Sequence, residues 1–308
     1  MKRGSIFEAA GTARQWVFLL LGANVLMQLS VLYIWNTAGQ VVTLQGTSQS
    51  DSGLSAICMA GLNLWLCLAV LRSFPSGAPL RPAWLLMAAA AAAETISGMA
   101  AQILGSDWLL NPLTWTAHPH SGVIEQIRLS ALIAGGPLRL ALLAAAMGPL
   151  LRTFRKLGFR ARPGAIDWTL PGLFCLFTIG RVIEAAFARS HAIGFEDGVS
   201  LAGLPVLCWL FFEAMLLRKS IGRMGNGLIG KAWTVLVYAI VLNGAGEVAL
   251  WVIPHYSPSP AVFAALVRLP MGAMFALVPA CVLAAQHRAT KGTERAGDLA
   301  TGAPALAP

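Results

Sequence analysis

Arg181 and Glu184 stand three residues apart in the stretch TIGRVIEAAF, a cation and an anion inside an otherwise apolar run. Residues three apart share a helix face, so a guanidinium and a carboxylate at this spacing can pair. Other ionisable and amide residues sit in apolar runs of their own: Glu94, Arg139, Glu247 with Asn243 four residues before it, Gln28 with Asn24 four before it, and Arg268. Such groups in an apolar medium can bind a small ion or solute, or take up and release a proton. The bland alternative is that they only hold helices in register, as buried ion pairs do. Ser, Thr or Asn would serve that purpose at lower cost, so an excess of full charges favours a working site.

The medium follows from composition. Of 308 residues, 57% are hydrophobic and 11% charged. Soluble domains carry roughly a quarter charged residues. With a mean hydropathy of +0.69, so few charges cannot cover a water-exposed surface. Lipid is therefore the expected solvent. The net charge of +9 raises the possibility of nucleic acid. The basic residues are nevertheless dispersed in short loops and form no continuous basic face, which excludes that partner. Cys58, Cys67, Cys175, Cys208 and Cys281 all fall in apolar runs without a CxxC pair, which fits packing rather than a disulfide framework or a structural zinc site.

A membrane span needs about 20 mostly apolar residues. Eight segments qualify: 15–35, 54–74, 82–104, 126–151, 166–188, 200–217, 232–253 and 261–286. Pro- and Gly-rich breaks such as SFPSGAP and FRARPG separate them. The expected architecture is all-α: residues 1–14 as a cytoplasmic N-terminus, 15–286 as an eight-helix transmembrane domain, and 287–308 as a disordered cytoplasmic tail. Lys and Arg set the orientation. The N-terminus, the loops at 72–81, 152–162 and 218–231, and the tail hold seventeen of the twenty-two. Both ends are thus expected in the cytoplasm, with the chain in an inner, cytoplasmic-type membrane. Trp16, Trp84, Trp168 and Trp233 open the odd-numbered spans, where indoles anchor at the headgroups.

Depth can be counted along each span. Glu94 lies thirteen residues beyond Arg81, Arg181 thirteen beyond Trp168, and Arg139 thirteen before Arg152. At about 1.5 Å per residue all three are some 20 Å from the cytoplasmic boundary. Charges at that depth must face the bundle interior, which predicts one polar cavity in the outer half. GGP at 135–137 precedes Arg139, and NGAGE at 243–247 surrounds Glu247 with glycine. Such breaks are tolerated where a cavity or a neighbour satisfies the freed backbone groups. Glu213, five residues before Arg218, reads as an ordinary boundary residue. Gln28, Glu94, Glu184 and Glu247 occupy similar positions in the four odd spans, a pattern that four repeated helical hairpins would produce.

His118, His120, His191 and His255 lie in outer loops, near Asp107, Glu125, Glu196 and Asp197. Imidazole with carboxylate suits zinc or copper, which makes these four the metal candidates, although solvated loop histidines look the same. None stands at bilayer depth, which argues against haem between helices. HExxH, Walker, GxSxG and dinucleotide motifs are absent, so no cofactor is indicated and the expectation leans away from an enzyme. The partners expected are the lipid bilayer and a small-molecule or ion ligand. The leading expectation is a small-solute or proton-coupled transporter. A non-enzymatic sensor or accessory subunit comes second and an integral-membrane lipid-modifying enzyme third.

Orientation is directly testable. In a background without native cysteines, a cysteine near Gln45 or His191 should react with a membrane-impermeant thiol reagent applied outside the cell. One near Gly158 or Gly225 should not, and the reverse pattern would overturn every depth given above.

Overall fold

The computed structural model describes residues 44–104, 122–159, 161–188, 195–222, 232–241 and 273–286, with Gln15, Leu19, Gly22, Ala23, Leu26 and Gly230 as isolated helical positions. These residues are all-helical, without strands. In chain order the helices are α1 (Leu44–Ser73), α2 (Arg81–Leu104), α3 (Gly122–Ile133), a π-helical turn (Ala134–Leu138), α4 (Arg139–Lys156), α5 (Ala165–Ala188), α6 (Phe195–Gly222), α7 (Ala232–Val241) and α8 (Ala273–Gln286). Two stretches, Arg81–Ala100 and Leu129–Lys156, are long and apolar enough to cross a membrane. Apart from those isolated positions, the segment expected as the first span lies outside the described residues, as do the outer histidines and the C-terminal tail.

α2 and α5 begin one residue before their expected spans and α7 begins where its span is expected, whereas α1, α3 and α6 depart further. α1 begins at Leu44, although the expected span opens at 54. The polar stretch TSQSDSG contains no proline, so nothing stops the helix from extending past its apolar part. The break at SFPSGAP is a turn closed by the Ala78 N–H donating to the Pro75 carbonyl at 3.0 Å. Beyond α4, Gly158 takes φ +87°, a left-handed conformation that glycine adopts without a Cβ penalty. Its N–H bonds the Arg155 carbonyl and the Phe159 N–H bonds the Phe154 carbonyl, which together form a Schellman stop. Arg155 and Lys156 sit in that last turn, where cations complement the helix dipole.

Packing runs from α1 to α2, from α2 to α4, from α4 to α6 and from α6 to α5, with the π-turn held against α2 and α6. A single large apolar cluster joins α1, α2, α4 and α6 to α7 and α8. At its heart Trp84 and Trp233 lie with ring centroids 5.8 Å apart, and Phe154 meets Trp233 edge-on at 6.2 Å. Both indoles are essentially unexposed. This corrects the expectation that they anchor at headgroups. Only Trp168 of the described expected anchors is exposed. An aromatic pair of this kind adds about 0.5–1.5 kcal/mol beyond its buried area, which rewards turning the rings into the seam between α2 and α7.

The helices α1 and α8 are tied at their ends by Ser73 Oγ donating to Gln286 Oε1 at 2.9 Å. α5 and α6 are tied by an ion pair between Lys219 and Asp167. Asp167 is buried in the first turn of α5, where its carboxylate also accepts the Gly164 N–H at 2.6 Å. That bond caps an orphan donor and places a negative charge at the helix N-terminus.

The close approach of α2 to the π-turn has one steric requirement. A Cβ at Gly135 would sit 2.2 Å from Ser97 Oγ and 2.8 Å from Ser97 Cβ. Gly135→Ala should therefore lower stability by about 1–3 kcal/mol, the usual cost of overpacking. Gly148→Ala, where an added methyl meets nothing within 4 Å, should not. Thermal unfolding in detergent checks both, and a silent Gly135→Ala would mean that this contact does not set the helix spacing.

Candidate functional site

The site forms where the π-turn interrupts the chain between α3 and α4. Pro137 lacks an N–H and Gly136 takes φ −98°, ψ −105°, so the α-helical ladder cannot run through this segment. The turn closes instead with the Arg139 N–H reaching the Ala134 and Gly136 carbonyls. π-turns widen a helix by one residue per turn and recur at functional sites. Here the turn delivers Arg139 against α2.

Arg139 Nη1 donates to Glu94 Oε1 at 2.9 Å. Ser97 lies one turn beyond Glu94 on α2, and Gly135 one turn before Arg139, so the Ser97–Gly135 contact sits beside the pair and sets the distance across which it closes. The side chains keep 30% (Glu94) and 16% (Arg139) of their accessible surface. The pair thus forms the open end of its surroundings.

Behind it lies a cavity of about 20 Å³, room for one water. Its polar walls are Glu94, Arg139, Asn63 and Cys67, and apolar side chains of α2, α4, α7 and α8 complete it. The Cys67 thiol donates to Asn63 Oδ1 at 3.6 Å, and both residues are buried. Trp84 forms another wall, and its indole N–H is buried without a hydrogen-bond partner. A buried donor left unmet costs about 1–3 kcal/mol.

The sequence-derived candidates divide into three groups. Glu94 and Arg139 are brought together. Arg181 and Glu184 fall within α5, whose main packing partner is α6; their backbone is helical and their side chains are not described. Gln28, Asn243, Glu247, Arg268, His118, His120, His191 and His255 lie outside the described residues.

Sequence reasoning passed over Asn63 and Asp167, which carry no signal beyond being polar. It treated Cys67 as mere packing and Trp84 as an anchor. Glu213 is a correction. It is buried rather than at a boundary, with one carboxylate oxygen lacking a partner and a hydrogen bond from the Trp209 side chain. Counting distance to Arg218 locates its depth but not the side of α6 it occupies, and that side faces protein.

The chain matches no protein-family model, no curated protein and no solved structure. What the site can do therefore rests on its own geometry. It is a charge-assisted bond between two helices, partly exposed and lining a water-sized cavity.

The pair's interaction is measurable by a double-mutant cycle. Arg139→Met or Glu94→Gln alone should each lower stability by about 2 kcal/mol, the scale of a hydrogen bond to a charged group. The double variant removes both charges at similar volume and should lose less than the two single losses combined. Additive losses would show that the two residues do not interact.

Proposed function

We propose that the chain is a multi-pass membrane bundle that carries a small solute together with protons, with Glu94–Arg139 as its exchange centre. One observation supports this reading: an ion pair from two helices lines a small cavity whose other walls are mostly apolar. A solute that takes Arg139 strips Glu94 of its counter-charge. A lone carboxylate in apolar surroundings is then neutralised by a proton, so solute and proton arrive together.

The membrane part of the reading is supported by the outer surface. On α5, Leu173, Leu176, Ile179 and Ile183 are all exposed, at spacings of three and four residues that form one stripe. α2 likewise exposes Leu85, Ile96 and Met99. In water such stripes would promote association; against lipid they cost nothing. The remaining six spans of the expected eight-helix bundle, its inner-membrane location and its cytoplasmic termini belong to this proposal. α5 packs chiefly on α6 and leaves its apolar stripe uncovered. That stripe supports a second reading, an accessory subunit that docks a partner helix there.

Proteoliposomes with an internal pH dye test the carrier reading. Inward gradients of simple salts, short carboxylates and amino acids are applied one at a time. At least one should drive proton uptake, and Arg139→Met/Glu94→Gln should abolish it while remaining folded. If no solute moves protons, or if the double variant performs as well as the parent, the carrier reading fails.

A further inference from the structure

Along the seam between α5 and α6, cationic, amphipathic and apolar surfaces follow one another in a fixed order. We propose that this seam binds one anionic phospholipid. Its phosphate rests on Arg162 and Lys219, its glycerol esters lie beside Trp168, and an acyl chain runs along α5. The inference rests on the membrane part of the reading above and is independent of Glu94 and Arg139.

The cationic part sits where α5 begins and α6 ends. Lys219 and Asp167 join the two helices there. A Cβ on Gly164 would stand 3.1 Å from Lys219 Nζ, so the ammonium lies against the backbone two residues after Arg162. The Lys219 side chain keeps 42% of its accessible surface. An ammonium has three donors. Asp167 takes one, so the exposed side can meet an outside acceptor without breaking the tie. Arg162 is exposed, as is Arg218 beside Lys219 in the chain. Among the described residues at these two helix ends, Asp167 is the one carboxylate, and it is buried. The surface is therefore positive with no exposed carboxylate to balance it, the condition that draws anionic headgroups.

The amphipathic part adjoins it. Trp168 is 58% exposed and packs its ring on Phe212 with centroids 4.3 Å apart. Trp209, 54% exposed, meets the same phenyl at 5.6 Å. Trp84 and Trp233 turn inward, whereas these two rings stay outside. Exposed indoles suit the ester level of a lipid, where one side is apolar and the other wet.

The apolar part completes the order. Trp168, Gly172, Leu176, Ile179 and Ile183 follow at spacings of four, four, three and four residues, and all are exposed. That spacing keeps them on one helix face. A Cβ on Gly172 would meet nothing within 4 Å, so an open notch separates the indole from Leu176. From Gly172 to Ile183 the face runs about 16 Å, roughly half of a 30 Å hydrocarbon core and so one leaflet. Phosphate, ester and hydrocarbon occur in this same order in a phospholipid. A soluble phosphate would use only the first part, and a partner helix only the last.

The test uses the purified full chain in neutral detergent, with native mass spectrometry counting retained lipid and thermal unfolding reading its effect. Phosphatidylglycerol should stay bound and raise Tm more than phosphatidylcholine with the same chains. Inorganic phosphate at matched ionic strength should leave Tm unchanged. Arg162→Gln should weaken phosphatidylglycerol binding roughly fivefold, the effect of one basic residue at an anionic surface. Trp168→Ala should weaken it as well. Arg72→Gln removes the same charge from the exposed end of α1 and should not. Equal losses in Arg162→Gln and Arg72→Gln would reduce the effect to net charge and overturn the site. Equal retention of the two lipids, or a matching response to inorganic phosphate, would overturn it too. A chain that stays in the aqueous phase without detergent would remove the membrane reading. One that requires detergent but ignores lipid charge would remove this inference alone.

Discussion

A full charge in an apolar medium is expensive, and the end of the bundle that holds Glu94 and Arg139 is organised around that cost. Insertion scales place an Arg or a Glu at the centre of a bilayer about 2.5–3.5 kcal/mol uphill. Glu94 and Arg139 come from helices separated by a kinked connection. The bond between them is 2.9 Å long and only partly covered. It offsets the cost of burial without locking the two side chains away from an incoming ion.

That constraint explains features that look like defects in isolation. An interrupted helix with proline and paired glycines forfeits backbone hydrogen bonds, which an apolar bundle can ill spare. The interruption lets Gly135 touch Ser97 without a Cβ and presents Arg139 to α2 one turn later. Toward the other end of α2 the design is opposite. Trp84, Trp233 and Phe154 pack ring against ring, and Gly158 closes α4 with a Schellman stop. One end of the bundle is dense and aromatic, while the other contains a weak point in the backbone and a small void. Local opening is expected where backbone bonds are missing, and the Glu94–Arg139 pair is located there.

Much of this was legible in the sequence, for identifiable reasons. Apolar length marks helices irrespective of their neighbours, so α2 and α5 begin within a residue of expectation. Proline and glycine mark turns by their own stereochemistry, as at Pro75 and Gly158. Equal counts from a basic boundary placed Glu94 and Arg139 at one depth on helices running in opposite directions, and equal depth is necessary for their contact. The choice of partner was not legible. Arg181 has the same depth and a carboxylate three residues away, but hydropathy contains no information about which helices adjoin. Orientation around a helix axis was equally hidden. An indole at a span's end has the same sequence signature whether it faces headgroups, as expected for Trp84, or the seam in which it is found. Glu213 was misjudged for the same reason.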